Sequence, residues 1–401
     1  MVSPFVLCYA PTTAMSDNDI ARNASSEISM ARSCSLSVLL CDAAVASVLT
    51  LFSAVSFSQN IAAAQGSTSG TQILFLGTAG GPPLRESRSE PSTLLIVDGR
   101  PYLIDCGIGT VRRMLQAGIQ SEQVKTIFFT HLHSDHDLGL ADVMANDFFR
   151  LSLAGSAQLI NIYGPPQTKE LVGTAFRYIT ISVRPFVEEN PSSYRLVNGE
   201  FASPFVTHEI EREGVIFQDD KVRVTVVENA HYALMPVQDR KQMKSYSYRI
   251  ETPHGAVVFT GDTGVSDAVA ELAKGADVLV AEASYRDPED LDRLVSRMAS
   301  QNHWSPDRMQ AFRAHMQLEH LNSHTVGELA SKVRAKSVLL YHYDPRDKAD
   351  EVAYVSGVKK YFYGPIFAPA DLDRYCLGVQ PGAATPETPI LTSCTDQAAA
   401  R

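Results

Sequence analysis

The stretch Thr130-His131-Leu132-His133-Ser134-Asp135-His136-Asp137 sets three histidines and a carboxylate within six residues, directly after the mostly apolar run Val124 to Phe129. Imidazoles at alternate positions can converge on one ion, while Asp135 and His136 face a second, so one segment can serve two metals. Two ions about 3.5 to 4 Å apart lower the pKa of a shared water and stabilise the oxygens that gain charge during hydrolysis. The chemistry offered is metal-assisted hydrolysis.

Two metals need further ligands, and polar residues recur where apolar runs end. His231 follows the β-branched run ending Val227-Glu228-Asn229-Ala230, Asp262 follows Phe259-Thr260-Gly261, and His342 follows Leu339-Leu340-Tyr341. The expected sets are His131, His133 and His231 on one ion and Asp135, His136 and His342 on the other, with Asp262 bridging. Asp135 is also placed to guide the proton leaving the water. Glu282 and His324 form a further candidate pair: in contact, Glu282 would orient His324 and keep a proton on it for the leaving oxygen. The bland alternative is a surface Glu and a helix-start His beside Ser323. His208, His254, His303, His315 and His320 have no comparable context and read as solvated or structural. Trp304, Tyr285 and Phe148-Phe149 read as packing residues.

Positioning these groups calls for strands that end at one edge. Thr71 to Thr78, Ser92 to Val97, Tyr102 to Ile104, the run into the motif and Leu159 to Tyr163 read as strands, with Asp98-Gly99 as a hairpin turn. Helical periodicity covers Gly109 to Ala117, Asp137 to Arg150 and Gln167 to Tyr178, whereas Ile181 to Phe201 reads as an irregular connection. In the second half, Val215 to Phe217, Val222 to Val227, Tyr246 to Glu251, Ala256 to Thr260, Val278 to Ala281 and Ser337 to Tyr341 are expected strands. Val265 to Ala273 and Val326 to Arg334 are expected helices, and Pro288 to Arg313 a helical region. Strands followed by helices in each half imply two packed sheets with helices outside.

Composition restricts the partners. The formal net charge is −10, and removing residues 1–64, which carry two arginines against four acidic residues, leaves −8. A general nucleic-acid surface needs a basic footprint, so none is expected; a small anionic or ester substrate remains compatible, because bound cations dominate their own site. Met30-Ala31-Arg32, the mostly apolar stretch Leu36 to Leu40 and then Ala43 to Phe57, and Ala62-Ala63-Ala64 have the form of a signal peptide cleaved after Ala64. The expected organisation is a presequence (1–64), a linker (65–70), a hydrolase domain (71–375) and a flexible tail (376–401), exported to the periplasm or medium. No stable membrane span is expected after processing, and a homodimer is left open. Cys8, Cys34 and Cys41 go with the presequence and Cys106 reads as a buried hydrophobe, which leaves Cys376 and Cys394 free to pair in an oxidising compartment.

These residues resemble the metallo-β-lactamase superfamily, and within it the ribonuclease Z branch, from about Thr71 to Asp350. The resemblance is carried by Leu76-Gly77-Thr78, Leu103 to Gly107, His131 to His136, Ile162 to Pro165, Tyr248 to Ile250, Phe259 to Thr263, Glu282-Ala283, His324-Thr325 and His342. It implies an α+β fold, an αββα sandwich of two mixed sheets, holding two Zn²⁺, with Mn²⁺ or Fe²⁺ as substitutes. It also places the family's metal ligands on the residues assigned above and its Glu/His proton-donor pair on Glu282 and His324. In ribonuclease Z a long tRNA-gripping arm separates the counterparts of Tyr248-Arg249-Ile250 and the Gly-Asp strand, where here only Glu251 to Gly255 intervene. A different insertion, Leu234 to Lys244, is expected to form one wall of the pocket. The leading expectation is therefore a dinuclear zinc phosphodiesterase acting on a small phosphodiester or cyclic nucleotide rather than tRNA. An aryl sulfatase or lactonase, or a non-catalytic metal-binding scaffold, are the alternatives.

Overall fold

The computed structural model describes residues 70–153, 158–189, 196–197, 200–201, 203–345, 347–378 and 390–394. The presequence and its cleavage site lie outside them. Strand β1 (Thr71–Gly77) sends Ile73 and Phe75 to one apolar cluster and Leu74 and Leu76 to another, the period of two that an extended chain imposes. A strand apolar on both faces must be covered on both, and this requirement generates the layers.

Strands β2 (Ser92–Val97), β3 (Arg100–Ile104), β4 (Thr126–Phe128) and β5 (Ile160–Gly164) continue from β1, and a short ribbon is formed by β6 (Leu196–Val197) and β7 (Glu200–Phe201). Next come β8 (Phe205–Glu209), β9 (Gly214–Gln218), β10 (Arg223–Glu228), β11 (Tyr246–Thr252), β12 (Gly255–Phe259), β13 (Val278–Glu282), β14 (Val338–Tyr341), β15 (Ile366–Phe367), β16 (Arg374–Gly378) and β17 (Ile390–Ser393). One mixed sheet has the order β17-β16-β1-β2-β3-β4-β5-β8 and the other β15-β14-β13-β12-β11-β10-β9. Their inner faces meet through Phe75, Leu95, Tyr102 and Phe128 from one side and Val224, Tyr248, Val257, Phe259, Val280 and Leu339 from the other. At roughly 1.5 to 3 kcal/mol for each large apolar side chain buried, this double face is the main stabilising layer.

Helices cover the outer faces. Helices α1 (Thr110–Gln116), α2 (Ser134–Asp137), α3 (Leu140–Leu153) and α4 (Thr168–Glu189) fall in the first half. Met114, Val143, Met144, Val172 and Ile179 pack on the outer face of the first sheet. Helices α5 (Asp267–Leu272), α6 (Pro288–Asn302), α7 (Pro306–Glu319), α8 (Ser323–Val333) and α9 (Lys348–Lys359) follow. Ala270, Val326, Ala330 and Val358 cover Leu279, Ala281 and Leu340 of the second sheet. The expected αββα sandwich is therefore observed, and the hairpin turn is the two-residue Asp98-Gly99, both at positive φ.

Three boundaries differ from expectation. The supposed irregular connection begins inside α4, which runs on to Glu189 through Pro185, because Ile179, Val183 and Val187 keep a buried stripe at every fourth position. The region Pro288 to Arg313 is two helices, each with a proline in its first turn after a capping Asp287 or Ser305. The tail expected from residue 376 contains β16 and β17, which pair antiparallel, and β16 also pairs with β1. Cys376 and Cys394 are joined by a disulfide.

Candidate metal centre and proton donor

Strands β4, β10, β12, β13 and β14 deliver their carboxyl ends to one edge of the sandwich. The motif strand is stitched to the second sheet there: Tyr248 Oη donates to the Phe129 carbonyl at 2.5 Å and Tyr246 N to the Thr130 carbonyl at 2.9 Å. His133, just ahead of α2, is extended, whereas Asp135 and His136 enter its single turn. That change from extended to helical geometry aims alternate side chains at one point and the next pair beside it.

The expected sets come together. His231 Nε2 and His133 Nδ1 are 3.1 Å apart, and His131 joins them with all ligand atoms within 4.8 Å of one another. Asp135, His136 and His342 form the second group, with His342 Nε2 3.2 Å from Asp135 Oδ2. Asp262 Oδ2 lies 3.1 Å from His342 Nε2, 3.4 Å from His136 Nε2 and 4.0 Å from His131 Nε2, so it touches both groups. All seven are buried except His133, which is partly exposed.

Outward nitrogens are bonded to the scaffold, which turns the inward ones toward the cluster. His136 Nδ1 meets Asp105 Oδ2 at 2.9 Å, His231 Nδ1 the Glu319 carbonyl at 3.0 Å, and His342 Nδ1 the Ser284 hydroxyl at 3.2 Å. Asp105, at positive φ, is held in turn by Thr130 N and Oγ1. The sequence reading passed over this orienting role because Asp105 sits inside an apolar strand pattern. His131 Nε2, His136 Nε2 and Asp262 Oδ1 are buried with no hydrogen-bond partner. Unpaired polar atoms at such depth cost about 1 to 3 kcal/mol each, and a divalent cation is the partner this donor set fits.

Electrostatics agree with that fit. Burial is the largest single influence on His136 and His342 and opposes their charge, but the carboxylates together outweigh it: Asp262, Asp105 and Asp135 at His136, and Asp262 and Asp135 at His342. His136 is held well above the ordinary histidine value and His342 rises to about 9. Burial depresses His131 and His231, which stay neutral. Protons on His136 and His342 thus supply positive charge that bound cations would replace.

The expected Glu282–His324 pair is not formed. His324 lies in the first turn of α8 with Nε2 3.0 Å from Lys360 Nζ, and its ring packs near Tyr361. The partner of Glu282 is His320, with Nδ1 2.8 Å from Glu282 Oε2. Asn322 decides the matter: its side chain caps α8 by accepting from the backbone N–H of His324 and Thr325. His324 therefore belongs to the helix, and His320 stays extended ahead of it, where Ser284 N donates to the Leu321 carbonyl. Glu282 also accepts from Thr263 N and Ser284 Oγ. Burial, then the Asp262 charge, pushes the Glu282 carboxyl well up, and burial lowers His320 to about 3.

Other expectations hold or shift. His208 stacks on Tyr163, His254 pairs with Asp98, Phe148 and Tyr285 are buried in apolar clusters, and Trp304 packs on Phe312. His315, read as solvated or structural, contacts His320 instead. In the Leu234 to Lys244 segment, Leu234 N donates to Glu319 Oε1; the preceding Tyr232 ring stands 5.4 Å from the His133 ring.

Buried histidines and carboxylates gathered at the strand ends of an αββα sandwich define a metal-dependent hydrolase acting on ester bonds. The β-lactamase superfamily domain model matches residues 100–343, more than half of the chain, which belongs to that superfamily, on its ribonuclease Z-like branch. The ribonuclease Z of Pyrococcus furiosus is 28% identical over 327 residues, covering 77% of this chain and 96% of that protein. That of Mycobacterium bovis is 31% identical over 212 residues, covering 52% and 69%. The crystal structure of human tRNase Z, short form, matches with a TM-score of 0.52 and 20% identity over 76% of this chain and 98% of that one, a likeness of fold.

Proposed function

We propose that the protein hydrolyses a small phosphodiester, such as a cyclic nucleotide, with two zinc ions at the site; Mn²⁺ or Fe²⁺ are the substitutes to test. The observation that carries this reading is the buried Glu282–His320 contact beside Asp262. Hydrolysis of a diester must expel an alkoxide or aryloxide, and a positioned acid lowers that barrier.

When bound, two divalent cations supply Lewis acidity that activates water and offsets the charge of the ester. His131, His133 and His231 would hold one, Asp135, His136 and His342 the other, with Asp262 shared. Asp135, fixed by the Gly81 N–H at 3.1 Å, accepts the proton of the attacking water. His320 gives its proton to the leaving oxygen, and Glu282 orients the ring. Tyr232 and the following segment stand beside the cluster as a pocket wall.

A small substrate, in place of tRNA, is supported by the β11–β12 connection, which is only Pro253-His254, and by the acidic net charge. Export after cleavage at Ala64 belongs to the same proposal, as does the division into presequence, linker and a hydrolase domain from Thr71. N-terminal sequencing of secreted protein is expected to begin at Gln65; a full-length cytosolic product would refute export.

The decisive experiment incubates the purified, metal-loaded chain with bis(p-nitrophenyl) phosphate, a cyclic nucleotide, p-nitrophenyl sulfate, a lactone and a precursor tRNA. Turnover of the diesters, lost in Asp262→Ala, is expected. Faster sulfate or lactone hydrolysis would move the reading to those ester classes, and preferred cleavage of the tRNA would overturn the small-substrate part.

A further inference from the structure

His315 and Glu319 lie one turn apart on α7, so they share a face of the helix. His315 Nδ1 is 2.6 Å from Glu319 Oε2, and His315 Nε2 is 3.2 Å from His320 Nε2. With Glu282 on the far nitrogen of His320, the result is a line of four groups: Glu282, His320, His315, Glu319. It runs from the fully buried Glu282 through the partly exposed His315 to the buried Glu319.

Each of the three contacts joins two atoms that both carry lone pairs, so each needs one proton. Three protons satisfy all three contacts, and a contact without one would set two lone pairs against each other. Glu319 holds His315 at Nδ1, which leaves His315 Nε2 aimed at His320 Nε2. Glu319 is itself fixed, accepting from Leu234 N at 2.8 Å through its other oxygen. The side chain that sets His315 is thereby tied to the segment beside the metal cluster.

We propose that His315, held by Glu319, is a positioning residue for the proton donor: its contact at Nε2 holds the His320 ring against Glu282. This inference rests on the donor role proposed for His320.

The test compares methyl p-nitrophenyl phosphate, whose leaving group needs little help, with methyl phenyl phosphate, whose leaving group needs a proton. Metal content and melting temperature are measured alongside for the full metal-loaded chain and for His315→Ala, Glu319→Gln and His320→Ala. His315→Ala is expected to lower kcat about tenfold on the phenyl ester and less than twofold on the nitrophenyl ester, with KM unchanged, a fraction of the ~10²-fold or more that a full acid contributes. Added imidazole should restore most of the phenyl-ester rate, and Glu319→Gln should show a weaker form of the same selectivity. Equal losses on both esters, or no response to imidazole with metals retained, would overturn the inference while leaving the His320 reading intact. No leaving-group dependence in His320→Ala would overturn the donor assignment and the inference with it.

Discussion

His320 Nδ1 lies 2.8 Å from Glu282 Oε2, whereas His324, four residues on, lies beside Lys360 and Tyr361. Only three residues separate the two histidines, but the start of α8 falls between them. A single capping residue therefore decides which imidazole reaches the metal edge.

Substitution separates the two. His320→Ala is expected to keep both metals and to slow alkyl or phenyl leaving groups by about 10² or more, with a smaller loss on p-nitrophenyl esters. His324→Ala should stay within about twofold on every substrate, since its ring lies against Lys360 and Tyr361, just past α9. Steady-state kinetics on a leaving-group series reads both, and a reversed pattern would return the donor role to His324.

Loading the metals should release protons. His136 and His342 are protonated in the metal-free protein at neutral pH, and cations require their nitrogens bare, so about two protons should leave at pH 7. The sign follows from their raised values: metal affinity climbs with pH, and the His342 share of the release fades above about 9. Calorimetric titration in buffers of different ionisation enthalpy measures the count, and zero release would contradict the charge balance described.

Asp147 offers a stability test away from the site. Its Oδ1 meets Ser121 Oγ, its Oδ2 is buried without a partner, and burial raises its carboxyl to about 7 despite the serine bond. A carboxyl raised on folding favours the folded state below its unfolded value, and that contribution is lost as pH rises from about 4 to about 7. At about 1.4 kcal/mol for each tenfold change in proton affinity, the loss amounts to a few kcal/mol. Asp147→Asn should flatten the fall in stability across that window in urea titrations, and an unchanged slope would remove Asp147 as its cause.

Much of the site was legible because His131, His133, Asp135 and His136 are close in sequence, and because His231, Asp262 and His342 follow apolar runs whose ends are visible as patterns. Glu282 was found for the same reason. His320 was missed because Asn322 and Ser323 are both good helix caps, and it is the Asn322 side chain that bonds the free N–H groups of His324 and Thr325. A proline made the second half of α4 look like a loop, although the four-residue stripe Ile179, Val183 and Val187 was there to be counted. Composition hid β16 and β17, since a Pro/Ala/Thr-rich context masks strands of four and five residues whose partner is distant.

That partner is β1. Thr71 pairs with Leu377 and Gln72 with Cys376, so the first strand of the sandwich cannot complete its hydrogen bonds until the chain has been made through Leu377. The second ligand group spans almost as far, from Asp135 to His342. Contacts this remote close late and at an entropic cost that grows with the intervening length. A half-made chain therefore presents β1 as an open edge without a finished metal centre, which is the interval in which a folding helper has something to protect.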